Sequence, residues 1–165
     1  MTDILNIVID KREQTPWSWP EYQVATTINS LVAGDYAIVE DTEIVKGRKT
    51  LAVRFAIERK GLDDFLGTIA GDWERFQREL VRMESFPARI IIIEGTFEQC
   101  CFTGNGSNFA APDHNHPNLT PQFVSRRIAE LSLMSVSVLF AGDPQLAAAL
   151  AYRIFTRRHD LLRGL

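Results

Sequence analysis

The chain has 165 residues, 45% of them hydrophobic and 24% charged, an ordinary balance that excludes a disordered or fibrous protein. That length suits a single domain, 1–165, with a real core. The formal net charge of −3 argues mildly against a nucleic-acid partner, because phosphate binding draws on Lys and Arg.

No apolar run approaches the ~20 residues of a membrane span, and Met1-Thr2-Asp3 lacks the basic start of a secretory signal. The only cysteines, Cys100 and Cys101, are neighbours and poor partners for a structural disulfide. A reducing, cytoplasmic location without a membrane partner is therefore expected.

Ile4 to Asp10 reads as a buried strand that runs into charge at Asp10, Lys11, Arg12 and Glu13. Two prolines keep Gln14–Pro20 from continuing it. Trp17 and Trp19, within that segment, suit packing over a site entrance or stacking on a base. Gln23 to Ile28 is a short strand candidate.

Gly34-Asp35-Tyr36 opens the next apolar run, and a polar loop over Asp41–Thr50 turns the chain back. In the return run Val53, Phe55 and Ile57 alternate with Arg54, Ala56 and Glu58, the period of a strand with one face buried. The pair predicts a β-hairpin that brings Asp35 beside Glu58. Side chains two apart share a face, so Lys60 points with Glu58 and Arg59 points away. Two adjacent carboxylates repel unless a cation lies between them, and hard divalent ions such as Mg²⁺ prefer oxygen ligands. With a lysine to hold or help deprotonate a metal-bound water, these are the parts of metal-assisted phosphodiester hydrolysis.

Gly34-Asp35, a spacer, Glu58-Arg59-Lys60 and Asp64 resemble the signature of the XPF-type structure-specific endonucleases, a branch of the restriction-endonuclease-like PD-(D/E)XK superfamily. Val8-Ile9-Asp10-Lys11-Arg12-Glu13 is similar to that family's first strand. The resemblance implies an α/β fold with a central mixed β-sheet flanked by helices. It also implies a divalent-metal-dependent DNA endonuclease. Asp35 and Glu58 would then ligate Mg²⁺ or Mn²⁺, with Asp10 as the third acid and Lys60 placing the attacking hydroxide or meeting charge on the phosphate. Asp64 would orient Lys60, Arg59 and Arg12 would support the site or contact phosphate, and Glu13 would stand behind them.

Branched or single-strand-containing DNA in repair, recombination or replication is the implied substrate. A second copy or a partner nuclease subunit is a further implied partner. Family members commonly add a helix-hairpin-helix module or a helicase; no such segment is recognised here, so a stand-alone nuclease core is expected. An inactive DNA- or partner-binding scaffold is the alternative.

The loop residues Lys46, Arg48 and Lys49 are candidates for holding the DNA backbone, on the expectation that the hairpin sets them beside the carboxylates. From Leu62 the apolar spacing becomes helical through Phe65, Leu66 and Ile69, with Asp63 and Asp64 in the first turn. Asp72 is placed to cap a second helix, which carries Arg75 as a DNA-contact candidate. Arg75-Phe76 resembles an arginine-aromatic pair of the family, and Glu79 stands where a glutamine is usual.

Arg89 to Ile93 reads as a central strand covered on both faces. Glu94 at its end is a commonplace strand-end carboxylate. Gly95 to Asn118 is rich in turn residues, and its Cys100-Cys101 and His114/His116 pairs lack the spacing of a zinc site. Thr120-Pro121 starts a helix, Val136–Phe140 a strand, and Gly142-Asp143-Pro144 a last helix, a parallel βαβ-type unit.

Overall fold

The computed structural model describes residues 4–101 and 119–164. Eight strands form one mixed sheet in the order β4-β5-β2-β1-β3-β6-β7-β8. They are β1 Leu5–Asp10, β2 Val24–Leu31, β3 Tyr36–Ile38, β4 Thr42–Glu43, β5 Thr50–Val53, β6 Ile57–Gly61, β7 Arg89–Glu94 and β8 Val136–Phe140. β6, β7 and β8 run parallel, as do β1 and β2, while β3 lies antiparallel between β1 and β6.

The strand periodicity sorts the core into two layers. Val8, Ala37, Ile91 and Ile93 face one side. There they pack against α1 (Leu62–Gly71), α2 (Trp73–Val81), the short α3 (Phe97–Cys101) and α4 (Pro121–Leu133). Ile7, Ile9, Tyr36, Ile57 and Ile92 face the other, under α5 (Pro144–Leu162) and the tryptophans of the segment after β1. Trp17 and Trp19 are both buried, and Trp17 stacks on Tyr36 at 4.5 Å.

Caps follow the expected chemistry in α4 and α5, where Thr120 accepts from the Phe123 amide (3.2 Å) and Asp143 from that of Leu146 (2.8 Å). At α2 the Asp72 side chain makes no cap bond and pairs with Arg75 instead. The irregular segment expected from Gly95 opens with α3. Thr96 and Gln99 exchange hydrogen bonds (2.8 and 3.0 Å), a capping box that the turn-rich composition hides. Cys100 and Cys101 are buried in the core, where burial pushes the Cys100 thiol up to about 12. His114, His116 and the rest of 102–118 lie outside the described residues.

The expected hairpin is the main correction. After β3 the chain makes one 3-10 turn (Val39–Asp41), forms the small β4–β5 hairpin at the sheet's far edge, and only then returns to β6. β5 joins β2 in parallel. Alternation cannot register the bend at Arg54–Phe55: Val53 lies in one core layer while Phe55 and Ile57 lie in the other. Lys46, Arg48 and Lys49 therefore close the edge hairpin, with β5, β2 and β1 between them and β3, and do not sit beside the carboxylates.

Candidate active site

Asp35 reaches Glu58 because β3 and β6 pair only at their ends, Tyr36 opposite Ile57. Gly34 makes that approach possible. Its φ of +73° favours glycine, and a Cβ there would lie 2.5 Å from the Ala56 Cβ. Main-chain bonds then fix the corner. The Asp35 amide donates to Ile57 O (2.9 Å), the Asp10 amide donates to Asp35 O (2.8 Å), and the Arg59 amide donates to the Asp35 carboxylate (2.8 Å).

Glu58 and Lys60 project from β6 toward α1 and α2, as the two-residue period requires. Lys60 Nζ lies 3.1 Å from Glu58 Oε1 and 5.4 Å from the centroid of the Phe76 ring. A cleft of about 460 Å³ holds Asp35, Glu58 and Lys60 with Asp64 and Arg75 on its wall. Arg75 is paired with Asp72 at 3.1 Å. Asp64 is exposed in the first turn of α1.

Electrostatics mark this pair. Burial, then the charge of Glu58, push the Asp35 carboxyl up to about 8. Burial also raises Glu58, against the pull of Lys60. Desolvation would lower Lys60, but the charge of Glu58 and their hydrogen bond outweigh it and hold the ammonium above its ordinary value. Glu79, from α2, adds negative charge that acts on both Glu58 and Lys60. Two carboxylates thus share a buried space with too little positive charge, the donor set that a hard divalent cation satisfies.

A stability consequence follows in the metal-free protein. Below the ordinary aspartate range, near pH ~4, Asp35 is protonated whether the chain is folded or not. Between there and about pH 8 the unfolded chain has lost that proton and the folded chain keeps it. This group's contribution to stability therefore falls as pH rises through that window. Melting in EDTA should drop from pH 5 to pH 8 less steeply in Asp35→Asn than in the wild type. Parallel slopes would refute the assignment.

The expected three-acid set is not what the structure assembles. Among the described residues no three His, Cys, Asp or Glu converge on one point. Asp10 uses its oxygens elsewhere: one accepts from the amide and Nε of Arg12 (2.8 and 2.6 Å), the other from the amide of Leu31 (2.7 Å). Burial alone would raise its carboxyl, yet those bonds hold it below the usual range. Asp10 ties β1 to β2 and aims Arg12, which feels the charges of Asp35 and Glu58.

Arg59 points to the opposite face, as its position on the strand predicts. Its Nε and Nη2 donate to the two oxygens of Glu94 (2.8 and 3.2 Å), and its Nη1 donates to Glu13 (2.7 Å) and Thr15 O (2.6 Å). Trp17 Nε1 also donates to Glu94 (2.5 Å), and the Tyr36 hydroxyl donates to Glu13 (3.1 Å). The guanidinium is spent on this clamp, so Arg59 braces β6 from behind. Glu94, passed over in the sequence as commonplace, is the clamp's anchor, along with Trp17 and Tyr36. The available signal was parity: Glu94 and Ile92 share a face on β7, and Ile92 is opposite Arg59.

A mixed sheet flanked by helices, with the acid-acid-lysine cluster where antiparallel β3 meets the parallel strands, is the α/β restriction-endonuclease-like architecture. The likeness extends to solved structures. XPF from Aeropyrum pernix matches with a TM-score of 0.60 and 19% identity, over 96% of this chain and 69% of that one. The same protein in complex with DNA matches with a TM-score of 0.58 and 20% identity, over 94% of this chain and 64% of that one. No curated protein matches the sequence. Residues 9–154 match the family described as the ERCC4 domain, and the chain belongs to that family, as an XPF-type nuclease domain.

Proposed function

We propose that this domain is a divalent-metal-dependent DNA endonuclease acting on branched or single-strand-containing DNA. The observation that carries this reading is the buried Asp35–Glu58 pair with Lys60 at 3.1 Å on the same side of the strand. Family membership supports it, and the archaeal XPF complex shows a structurally similar protein with DNA.

Asp35 and Glu58 would hold Mg²⁺ or Mn²⁺, with the carbonyl of Arg59 as a further oxygen. The ion supplies Lewis-acid polarisation of the phosphate and lowers the pKa of an attacking water. Lys60 Nζ, held protonated beside them, orients the attacking oxygen and donates to the phosphate oxygen on which charge builds. Asp64, in the first turn of α1, closes the cleft beside Gly61 and limits where that ammonium swings. Arg12 and Arg75 hold flanking phosphates at the rim. Asp10 keeps Arg12 in place rather than binding metal, and Glu13 and Glu94 hold Arg59 so that β6 cannot shift against β3.

The test is a panel of labelled duplex, single-strand, fork, flap and four-way DNAs with Mg²⁺, Mn²⁺ or EDTA. Cutting of the branched or single-strand-containing substrates in either metal, and none in EDTA, is expected. Metal binding and gel shifts without cutting, by a folded protein, would move the assignment to a non-catalytic DNA binder. The same result relieved by a second nuclease subunit would make the partner essential.

A further inference from the structure

On the other face of the sheet, a cavity of about 720 Å³ lies between the segment after β1 and the start of α5. Trp17, Trp19, Tyr22, Arg59, Gln145 and Leu146 line it. Arg59 also lines the catalytic cleft, so the two hollows open at the same edge of the sheet, the carboxyl ends of β6, β7 and β8. Crevices outside the carboxyl ends of parallel strands are where α/β sheets take ligands.

The walls are rigid and apolar. Trp17 Nε1 is held by Glu94, Trp19 Nε1 donates to Ala148 O (2.7 Å), and Tyr22 stacks on Tyr152 at 4.0 Å. Pro16, Pro20 and Pro144 stiffen the rim. Leu146 remains 57% exposed at the wall, an apolar side chain with no core role. The volume falls in the range of small-ligand sites, and the mix of apolar wall with a few polar groups is theirs too.

Charge decides the class of ligand. Among the described residues Arg59 is the one cation on the wall, and its donors are committed to Glu94, Glu13 and Thr15 O. Glu21 and Asp143 bring negative charge. A phosphate is unwelcome there; a flat, neutral, partly apolar group is not. On a polynucleotide that group is the base, and a base can seat itself in a hollow only when it is unpaired.

Resting on the nuclease reading above, we propose that this cavity takes one unpaired nucleobase of the DNA strand whose phosphate lies at Asp35, Glu58 and Lys60. The strand passes over the sheet edge at Arg59. The domain then selects DNA with unpaired nucleotides beside the cut, without any contact that reads base sequence.

Two variants outside the catalytic cluster test it. Ser18→Trp fills the hollow, and Leu146→Glu places a carboxylate on its wall, in the first turn of α5 where acids are tolerated. With Ca²⁺ in place of Mg²⁺, an oligonucleotide carrying 2-aminopurine beside the cut site should change emission on wild-type protein and not on either variant. In Mg²⁺ each variant should raise KM for fork or flap DNA on the order of tenfold. Mn²⁺ affinity and melting temperature should stay at wild-type values. Variants that bind and cut like a competent wild type overturn the base site and leave the nuclease reading intact. So does an equal loss on fully paired, nicked duplex. A wild type that neither cuts these DNAs nor changes the 2-aminopurine emission overturns both.

Discussion

Lys60→Ala should lose roughly 10²- to 10³-fold in single-turnover cleavage, the scale for removing one donor aimed at developing charge. The ammonium is held inside the cleft: 17% exposed, 3.1 Å from Glu58, and resting over Phe76. Without it, the Asp35–Glu58 pair has, among the described residues, no ammonium beside it to donate to the phosphate oxygen. Glu58 also loses the charge that opposes its burial, so a divalent ion must compete with a proton for both carboxylates.

Lys60→Met separates charge from packing, because it keeps an unbranched stem over Phe76 while removing the ammonium. Its fold, read by melting temperature in Mg²⁺, should match the wild type while its cleavage stays lost. Cleavage by Lys60→Met at the wild-type rate would sink the mechanism.

The largest expected stability effect lies far from this cleft. Asp41 is fully buried at the end of the 3-10 turn, and Arg158 of α5 clasps it with Nε and Nη2 at 2.9 and 2.8 Å. The Asp41 carbonyl meanwhile accepts from the amide of Arg54 (2.8 Å), so one residue pins both the turn and the bend before β6. Arg158→Ala leaves a carboxylate in the core without its partner. Such a loss costs about 3–5 kcal/mol, and in a chain of this size each kcal/mol lowers the melting temperature by ~2–4 °C.

A drop of roughly 10 °C is therefore expected by calorimetry, with Arg158→Ala/Asp41→Asn recovering part of it because the charge is gone. A change within about 1 °C would show the pair to be worth no more than a surface contact.

Much of this was legible in the residues. β-branched runs gave β1, β7 and β8; the change of period at Leu62 gave α1; Thr120-Pro121 and Asp143-Pro144 announced the last two long helices. The two-residue period correctly set Glu58 with Lys60 and Arg59 against them. What escaped was long-range. Alternation through Val53, Phe55 and Ile57 reads as one strand because a bend preserves the pattern while changing the layer. The three N–H donors around Asp10, from Arg12 and Leu31, are equally invisible before folding. Glu94 becomes informative only once Arg59 and Trp17 arrive from distant parts of the chain. The Asp41–Arg158 pair, 117 residues apart, left no local trace at all.

The detour between β3 and β6 has an evolutionary and practical consequence. Asp35 and Glu58 are neighbours in space, yet the chain between them leaves for the opposite margin of the sheet and comes back. Their separation along the chain is thus set by how far the excursion travels, and it carries no information about the distance between their side chains. Lengthening or shortening that excursion would leave the two acids in place. A sequence pattern with a fixed gap would miss them. The tip at Gly47, where nothing lies within 4 Å of an added Cβ, is a natural place to graft a reporter or a targeting module.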